Sequence, residues 1–306
     1  MNGIIVASFS LSYEGVTGCL QEQNRRDNDR VNWFPASEVN ILSEQMTKKY
    51  ESNEYEEDKS FHNISLKLIN SDKVAIALTG ENSEVVTEAE SQKSDLIAGK
   101  YEGGLKVWES TRDLVRYLLE QKYSFENKKV LDLGCGAGVI GILCLMKGST
   151  VHFQDYNVEV IRFVTIPNVI LNLGKAALAE KKNRFYSGDW KSFTSLMSND
   201  VDDAKEKYDY IFTSETIYNP DNHKKLYNVF KQRLKSNGFG FVAGKAYYFG
   251  VGGSMRQFEE LVRKDGVFKV QVVWRSNEGL QRDILALSRC NSDSTCHHSP
   301  ARTGSD

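Results

Sequence analysis

The chain is 306 residues long, 40% hydrophobic and 26% charged, which is the balance of a globular protein. No stretch of eighteen apolar residues occurs, so no membrane-spanning helix is expected, and the start MNGIIVASFSLSYEGV lacks the basic lead and longer apolar run of a secretory signal. Five cysteines and five histidines are scattered without a Cys-x-x-Cys pair, so a metal site is not expected and the default reading is intracellular.

The net charge of −2 is uneven. Residues 1–95 carry 9 Lys+Arg against 17 Asp+Glu, whereas residues 96–306 carry 30 against 24. A basic domain behind an acidic arm suits a basic protein partner or a nucleic-acid surface, and equally a solvated acidic linker. The first 60 residues show little periodicity. Residues 49–60, KYESNEYEEDKS, are polar and acidic and read as flexible. Alternation over 64–78 fits one or two short strands.

From Gly103 the pattern becomes regular. Val107, Trp108, Thr111, Leu114, Val115, Leu118 and Leu119 recur at helical spacing. Residues 129–133 form a short apolar strand, 139–146 an almost wholly apolar helix, and 151–153 a second strand. A helix over 158–173 is interrupted or offset near Pro167. Strands follow at 183–186 and 210–212. Leu226, Val229, Phe230 and Leu234 make a helix stripe that Asn237-Gly238 is expected to stop. A strand over 239–242 precedes a helix whose Ser254 and Gln257 have capping-box spacing. Two last strands, 267–274 and 284–287, close the domain. Strand–helix alternation implies an α/β fold, a mostly parallel sheet with helices on both faces. The expected layout is an arm over 1–95, a catalytic domain over 96–289 and a disordered tail over 290–306.

The segment VLDLGCGAG, residues 130–138, carries most of the chemistry. A strand runs into Gly134, Gly136 and Gly138 and then into a helix. Such glycines let a backbone approach a ligand closely. The spacing is G-x-G-x-G rather than the G-x-G-x-x-G that cradles a pyrophosphate. Asp132 at the strand end suits a cation, and Asp155, at the end of the second strand, suits a pair of ribose hydroxyls. S-adenosylmethionine, cationic and without phosphates, fits both; a tight turn plus a helix cap is the bland alternative. Asp189 and Trp190, after the third strand, suit an adenine.

Six strings bear a wider resemblance: GGLKVWEST (103–111), FQDYN (153–157), TIPN (165–168), SGDW (187–190), SETIY (214–218) and KAYYFGVGG (245–253). Together they resemble the histidine protein methyltransferases, within the class built on a seven-stranded, Rossmann-like methyltransferase sheet with a poorly patterned N-terminal extension. The resemblance covers about residues 100–288. It implies S-adenosylmethionine as cofactor and a histidine of a large-subunit ribosomal protein as substrate, in cytoplasm and nucleus. It places Trp108 and Glu109 by the methionine end, Asp132, Gly134, Gly136 and Gly138 around the amino acid part and ribose, Asp155 on the ribose and Asp189 on the adenine. Ser214 to Tyr218 would face the methyl group. Glu215 is the expected acceptor for a histidine ring N–H, with Tyr218, Tyr247 and Tyr248 as an aromatic wall, unless these are core aromatics and a loop charge. Two alternatives stay open: a protein-lysine methyltransferase of the same fold, and a non-catalytic cofactor-binding module on ribosomal particles.

Overall fold

The computed structural model of the chain describes residues 33–40, 55–61, 63–70, 74, 99–179, 182–198 and 207–290. Expectations for residues 1–32, for 41–54 (including the first half of the acidic stretch 49–60), for most of 71–98 and for the tail from 291 lie outside them.

One sheet carries the architecture. Its strands are β1 (Ser37–Glu38), β4 (Lys129–Leu133), β5 (Thr150–Asp155), β6 (Arg184–Ser187), β7 (Tyr208–Ser214), β8 (Leu234–Lys245), β9 (Phe268–Arg275) and β10 (Arg282–Arg289), in the order β1-β6-β5-β4-β7-β8-β10-β9. The pairs β6–β5, β5–β4, β4–β7 and β7–β8 are parallel, and β10 is antiparallel to both its neighbours. The seven expected strands are present, and the two-residue β1 extends the β6 edge in antiparallel register. A separate hairpin pairs β2 (Tyr55–Phe61) with β3 (Ile64–Ile69).

Helices cover both faces, as a mostly parallel sheet requires. On one face α1 (Glu109–Glu120), α2 (Val139–Met146) and α4 (Ile166–Leu173) share a core with Val130, Val151, Phe153 and Phe212. On the other, α6 (Trp190–Ser198), α7 (Pro220–Arg233) and α8 (Met255–Asp265) pack on Leu131, Leu133, Ile211 and Val242. A short α3 (Val158–Val160) precedes α4, and α5 (Ala176–Ala179) follows it. Helix α2 is buried from Val139 to Cys144, which accounts for its lack of a polar stripe. Ser254 caps α8 as its spacing predicts, accepting a hydrogen bond from the Gln257 N–H at 3.2 Å.

Two expectations change and a third is narrowed. Tyr55–Ser60 is not flexible coil but strand β2, held to the main body by the Arg112–Asp58 ion pair at 2.9 Å and by the Arg112 guanidinium over the Phe61 ring. The partner strand β3 is satisfied by α4, since the Asn168 and Asn172 side chains accept from the Ile69 and Lys67 N–H groups. Asn237-Gly238 stops no helix: α7 ends at Arg233, and the pair lies within β8, where the register with β7 jumps from Tyr208↔Leu234 to Tyr210↔Phe239. A Cβ at Gly238 would sit 2.9 Å from the Asp209 carbonyl, so a bulge with a close backbone approach, not a turn, uses this glycine. Near Pro167 the helix is offset rather than interrupted. A π-helical turn over Ile161–Thr165 joins α3 to α4 without leaving helical dihedrals.

Candidate active site

The sheet reverses its winding at β4, with β5 on one side and β7 on the other. Open α/β sheets hold ligands at the carboxyl ends of strands at such a switch point. A cleft of about 760 Å³, counting its open mouth, lies there.

Its floor is the loop from β4 to α2. Gly134, Gly136 and Gly138 all have positive φ, at 66°, 50° and 75°. A Cβ at Gly134 would meet the Thr216 methyl at 2.5 Å, and one at Gly136 would approach the Gly104 carbonyl at 3.1 Å. The loop is tied down from below. The Thr165 hydroxyl, aimed by the π-helical turn, donates to the Gly136 carbonyl at 2.7 Å, and the Asn168 amide donates to Ala137 at 2.9 Å.

Asp155 closes one wall. Its Oδ2 accepts from the Gly136 N–H at 2.8 Å and its Oδ1 from the Asn157 N–H at 3.2 Å. Beside it stands Glu102, which sequence reasoning missed. Its Oε1 accepts from the Gly99 N–H at 2.7 Å, while its buried Oε2 has no hydrogen-bond partner. Burial pushes the Glu102 carboxyl up to about 7 and that of Asp155 up to about 6, and the nearby Asp155 charge adds to the Glu102 shift. Two desolvated carboxyls, one with an unused acceptor, suit a hydroxyl-bearing cation.

The far end was legible only in part: Asp189 and Trp190 were expected there, but Trp33 was not. Trp33 lines the cleft with Tyr156, Asp189 and Trp190. Tyr156 stacks on Phe34 at 5.4 Å, and the Lys225 ammonium lies 3.7 Å from the Trp33 ring centroid. Asp189 is more committed than its expected adenine role implies. Its Oδ1 pairs with Lys225 at 2.9 Å, and its Oδ2 caps α6 through the Lys191 and Ser192 N–H groups. Trp190 is fixed by its indole N–H donating to Gln154 at 2.9 Å.

At the opposite end Trp108, Ser214, Glu215 and Tyr218 line the cleft. Ser214 shares a 2.7 Å hydrogen bond with Thr111. Glu215 is 8% exposed, its Oε1 accepting from the Ser110 hydroxyl at 2.5 Å and its Oε2 from the Tyr248 hydroxyl at 2.6 Å. Burial, reinforced by Glu215, holds the Tyr248 phenol well above its ordinary range, so it stays a donor. The Tyr218 and Tyr248 rings meet edge to face at 6.4 Å.

Six expected residues do not line the cleft, among them Ile217 and Tyr248, which are buried behind its wall. Asp132 is buried beneath the loop with its Oδ2 accepting from the Gly141 N–H at 2.8 Å, so it secures the start of α2. Gly138 packs towards Thr165 and Phe153, and Glu109 is exposed in the first turn of α1. Tyr247 is half exposed and meets the Phe249 ring; its neighbour Tyr248 is the tyrosine beneath the site.

A glycine loop at a switch point, followed by a carboxylate at the second strand, marks a Rossmann-like fold that holds an adenosyl ligand, and the family match places it among the methyltransferases. A solved Streptococcus mutans chain assigned to the SAM-dependent methyltransferases shares the fold with a TM-score of 0.50 at 14% identity, over 77% of this chain and 56% of that one. A family model described as lysine methyltransferase matches residues 92–247, half of the sequence, and the chain belongs to that family. It is also similar to the histidine protein methyltransferase 1 homologues of Dictyostelium discoideum, 46% identical over 64% of this chain, and of Bos taurus, 42% identical over 68%. The chain spans 61% of the length of each of these two relatives. The cofactor of this class is S-adenosylmethionine. The orphaned Glu102 oxygen, the cradle at Gly134 and Gly136 that a Cβ would fill, and the negative wall at Asp155 all fit that cation.

Proposed function

We propose that this chain is an S-adenosylmethionine-dependent protein-histidine N-methyltransferase that modifies a histidine of a large-subunit ribosomal protein, acting in cytoplasm and nucleus. The single observation that carries the reading is the Glu215 carboxyl group at the cleft wall, gripped by Ser110 and Tyr248. The similarity to histidine protein methyltransferases supports the choice of residue.

S-adenosylmethionine supplies an electrophilic methyl group on a sulfonium. Glu102, Asp155, Gly134 and Gly136 would hold it, with Trp33 and Trp190 flanking the adenine and Trp108 the methionine end. The remaining task is orientation, since a histidine near pKa ~6.5 already has a neutral, nucleophilic form. Glu215 meets that need. Each of its oxygens accepts one hydrogen bond within the protein and keeps a second lone pair for a ring N–H. An imidazole held by one nitrogen presents the other in line, and positioning of this kind supplies a large share of rate acceleration.

A protein-lysine methyltransferase is the second reading, favoured by the family description. A lysine near ~10.4 must first lose a proton, a heavier demand on the same carboxylate. Incubation of the purified protein with radiolabelled S-adenosylmethionine and proteins from large ribosomal subunits, followed by acid hydrolysis, decides between them. Labelled methylhistidine is the expected product. Methyllysine alone overturns the reading, and binding without transfer points to the non-catalytic module.

A further inference from the structure

Eight large hydrophobic side chains are exposed among the described residues, and three of them sit on one loop. Tyr247 is 48% exposed, Phe249 77% and Val251 45%, all between β8 and α8. A fourth, Leu280 at 58%, lies on the turn between β9 and β10. The two segments are joined, because the Ala246 N–H donates to the Gln281 carbonyl at 2.8 Å.

The loop is fixed at its base. The Tyr248 N–H donates to Gly253 at 2.8 Å and the Gly252 N–H to Tyr248 at 2.9 Å. Gly253 is pressed so closely on the chain at Ile217 and Tyr218 that a Cβ would lie 2.1 Å from the Ile217 carbonyl. Its N–H donates to the Tyr218 carbonyl at 2.9 Å. Tyr218 lines the cleft, so the base of this loop is anchored beside the end at which a methyl acceptor must enter. Solvent-exposed apolar patches beside a site mark a surface that is covered in use.

The charge around it selects the partner. The basic residues nearest in the chain are already engaged: Lys245 lies over the Trp108 and Tyr248 rings, Arg256 pairs with Glu260, Arg275 with Asp283 and Arg282 with Asp113. The three arginines are matched by carboxylates, so the neighbourhood carries no excess of positive charge from them, while its most exposed side chains are apolar. An apolar side chain of a polypeptide matches.

We propose that Phe249, Val251 and Leu280 form the docking surface for the polypeptide segment that carries the target residue, and that an apolar side chain of that segment seats on them. The inference rests on the protein-methyltransfer reading above and names the chemistry its substrate must carry next to the target. Such anchors act on recognition and not on the reacting atoms.

The test uses the full chain, labelled S-adenosylmethionine and proteins extracted from large ribosomal subunits. Phe249→Ser, and the pair Phe249→Ser with Leu280→Ser, should raise KM for the protein substrate about tenfold or more. Turnover at saturation and cofactor affinity should be unchanged, because uniform binding alone is lost. The effect should persist at raised salt, which an ionic contact would not. Met146→Ser, at a similarly exposed site in α2, serves as a control and should leave KM alone. An unchanged KM in both variants, or a fall in turnover with KM intact, overturns the docking surface. A wild-type protein that transfers no methyl group to any of these proteins overturns the reading beneath it instead, and the docking surface falls with it.

Discussion

Glu215 holds the Tyr248 hydroxyl at 2.6 Å while its own backbone sits in the left-handed region, at φ 58°. A non-glycine residue there costs about 1–3 kcal/mol, which the surrounding contacts must offset. The Glu215 N–H donates to the Ala243 carbonyl at 2.9 Å, and Ser110 and Tyr248 fix the side chain. The conformation turns the carboxyl group from the end of β7 towards the cleft. Glu215→Gln keeps the size but replaces one acceptor oxygen with a donor. Turnover should fall roughly 100-fold or more, the scale of a lost acid–base or orienting group. Cofactor affinity, measured by calorimetry, should stay within a factor of about two. A mutant with wild-type turnover would remove Glu215 from the chemistry.

How much of this was legible depends on range. The glycine loop, the succession of strands and helices along the catalytic half and the Asp155 carboxylate are local patterns, each readable from a few adjacent residues. Asp132 shows where local reading stops. A carboxylate at a strand end can serve a ligand or a helix N–H equally well, and only the direction of the side chain, towards Gly141, decides. Glu102 and Trp33 carried no signal, because their place in the cleft comes from contacts with Asn157 and Tyr156, remote in sequence, and from the Asp189 N–H that holds the neighbouring Phe34 carbonyl. Asn237-Gly238 reads as a turn in one dimension and becomes a bulge because β7 lies alongside.

Glu102 and Asp155 give the cofactor site a pH dependence. Protonation removes the negative charge that a cation needs and turns one acceptor oxygen of each carboxyl into a donor. Affinity for S-adenosylmethionine should therefore strengthen as pH rises through about 6 to 7, where these carboxyls ionise. Their folded values lie above the ordinary carboxylate range, so between roughly pH 4 and 7 the folded state binds more protons than the unfolded one. Their contribution to stability is then present at low pH and lost as pH rises. Glu102→Gln should flatten the upper part of the affinity profile. It should also gain in Tm relative to wild type at pH 8 more than at pH 5. Calorimetry and thermal melts across that range check both, and parallel profiles would rule out the assignment.

Gly134→Ala tests the cradle. Its Cβ would lie 2.5 Å from the Thr216 methyl, at a φ of 66° that L side chains rarely adopt. The strain of the left-handed conformation alone is about 1–2 kcal/mol. The Thr216 hydroxyl also shares a 2.7 Å hydrogen bond with Thr213, so a displaced Thr216 disturbs the start of the SETIY loop. Cofactor affinity and turnover should fall together. Gly174→Ala, at a positive φ with open space around it, should cost stability alone. Comparing calorimetric affinity with Tm for the two variants separates a ligand effect from backbone strain.

Asp132 should behave as part of the scaffold. It is 2% exposed and its carboxyl, pushed up to about 7 by burial, accepts from the Gly141 N–H in the first turn of α2. A glycine with positive φ precedes that helix and brings no side-chain cap of its own, so Asp132 performs the capping from the neighbouring strand. Asp132→Ala leaves the N–H unpaired in a buried setting, at a cost of about 1–3 kcal/mol. Asp132→Asn retains an acceptor oxygen and should recover most of the loss. If Asp132 instead held the cofactor's ammonium group, Asn would leave stability intact and weaken cofactor binding. Chemical denaturation with and without S-adenosylmethionine distinguishes the two, and the geometry favours lost stability in the alanine variant with cofactor affinity little changed in the asparagine variant.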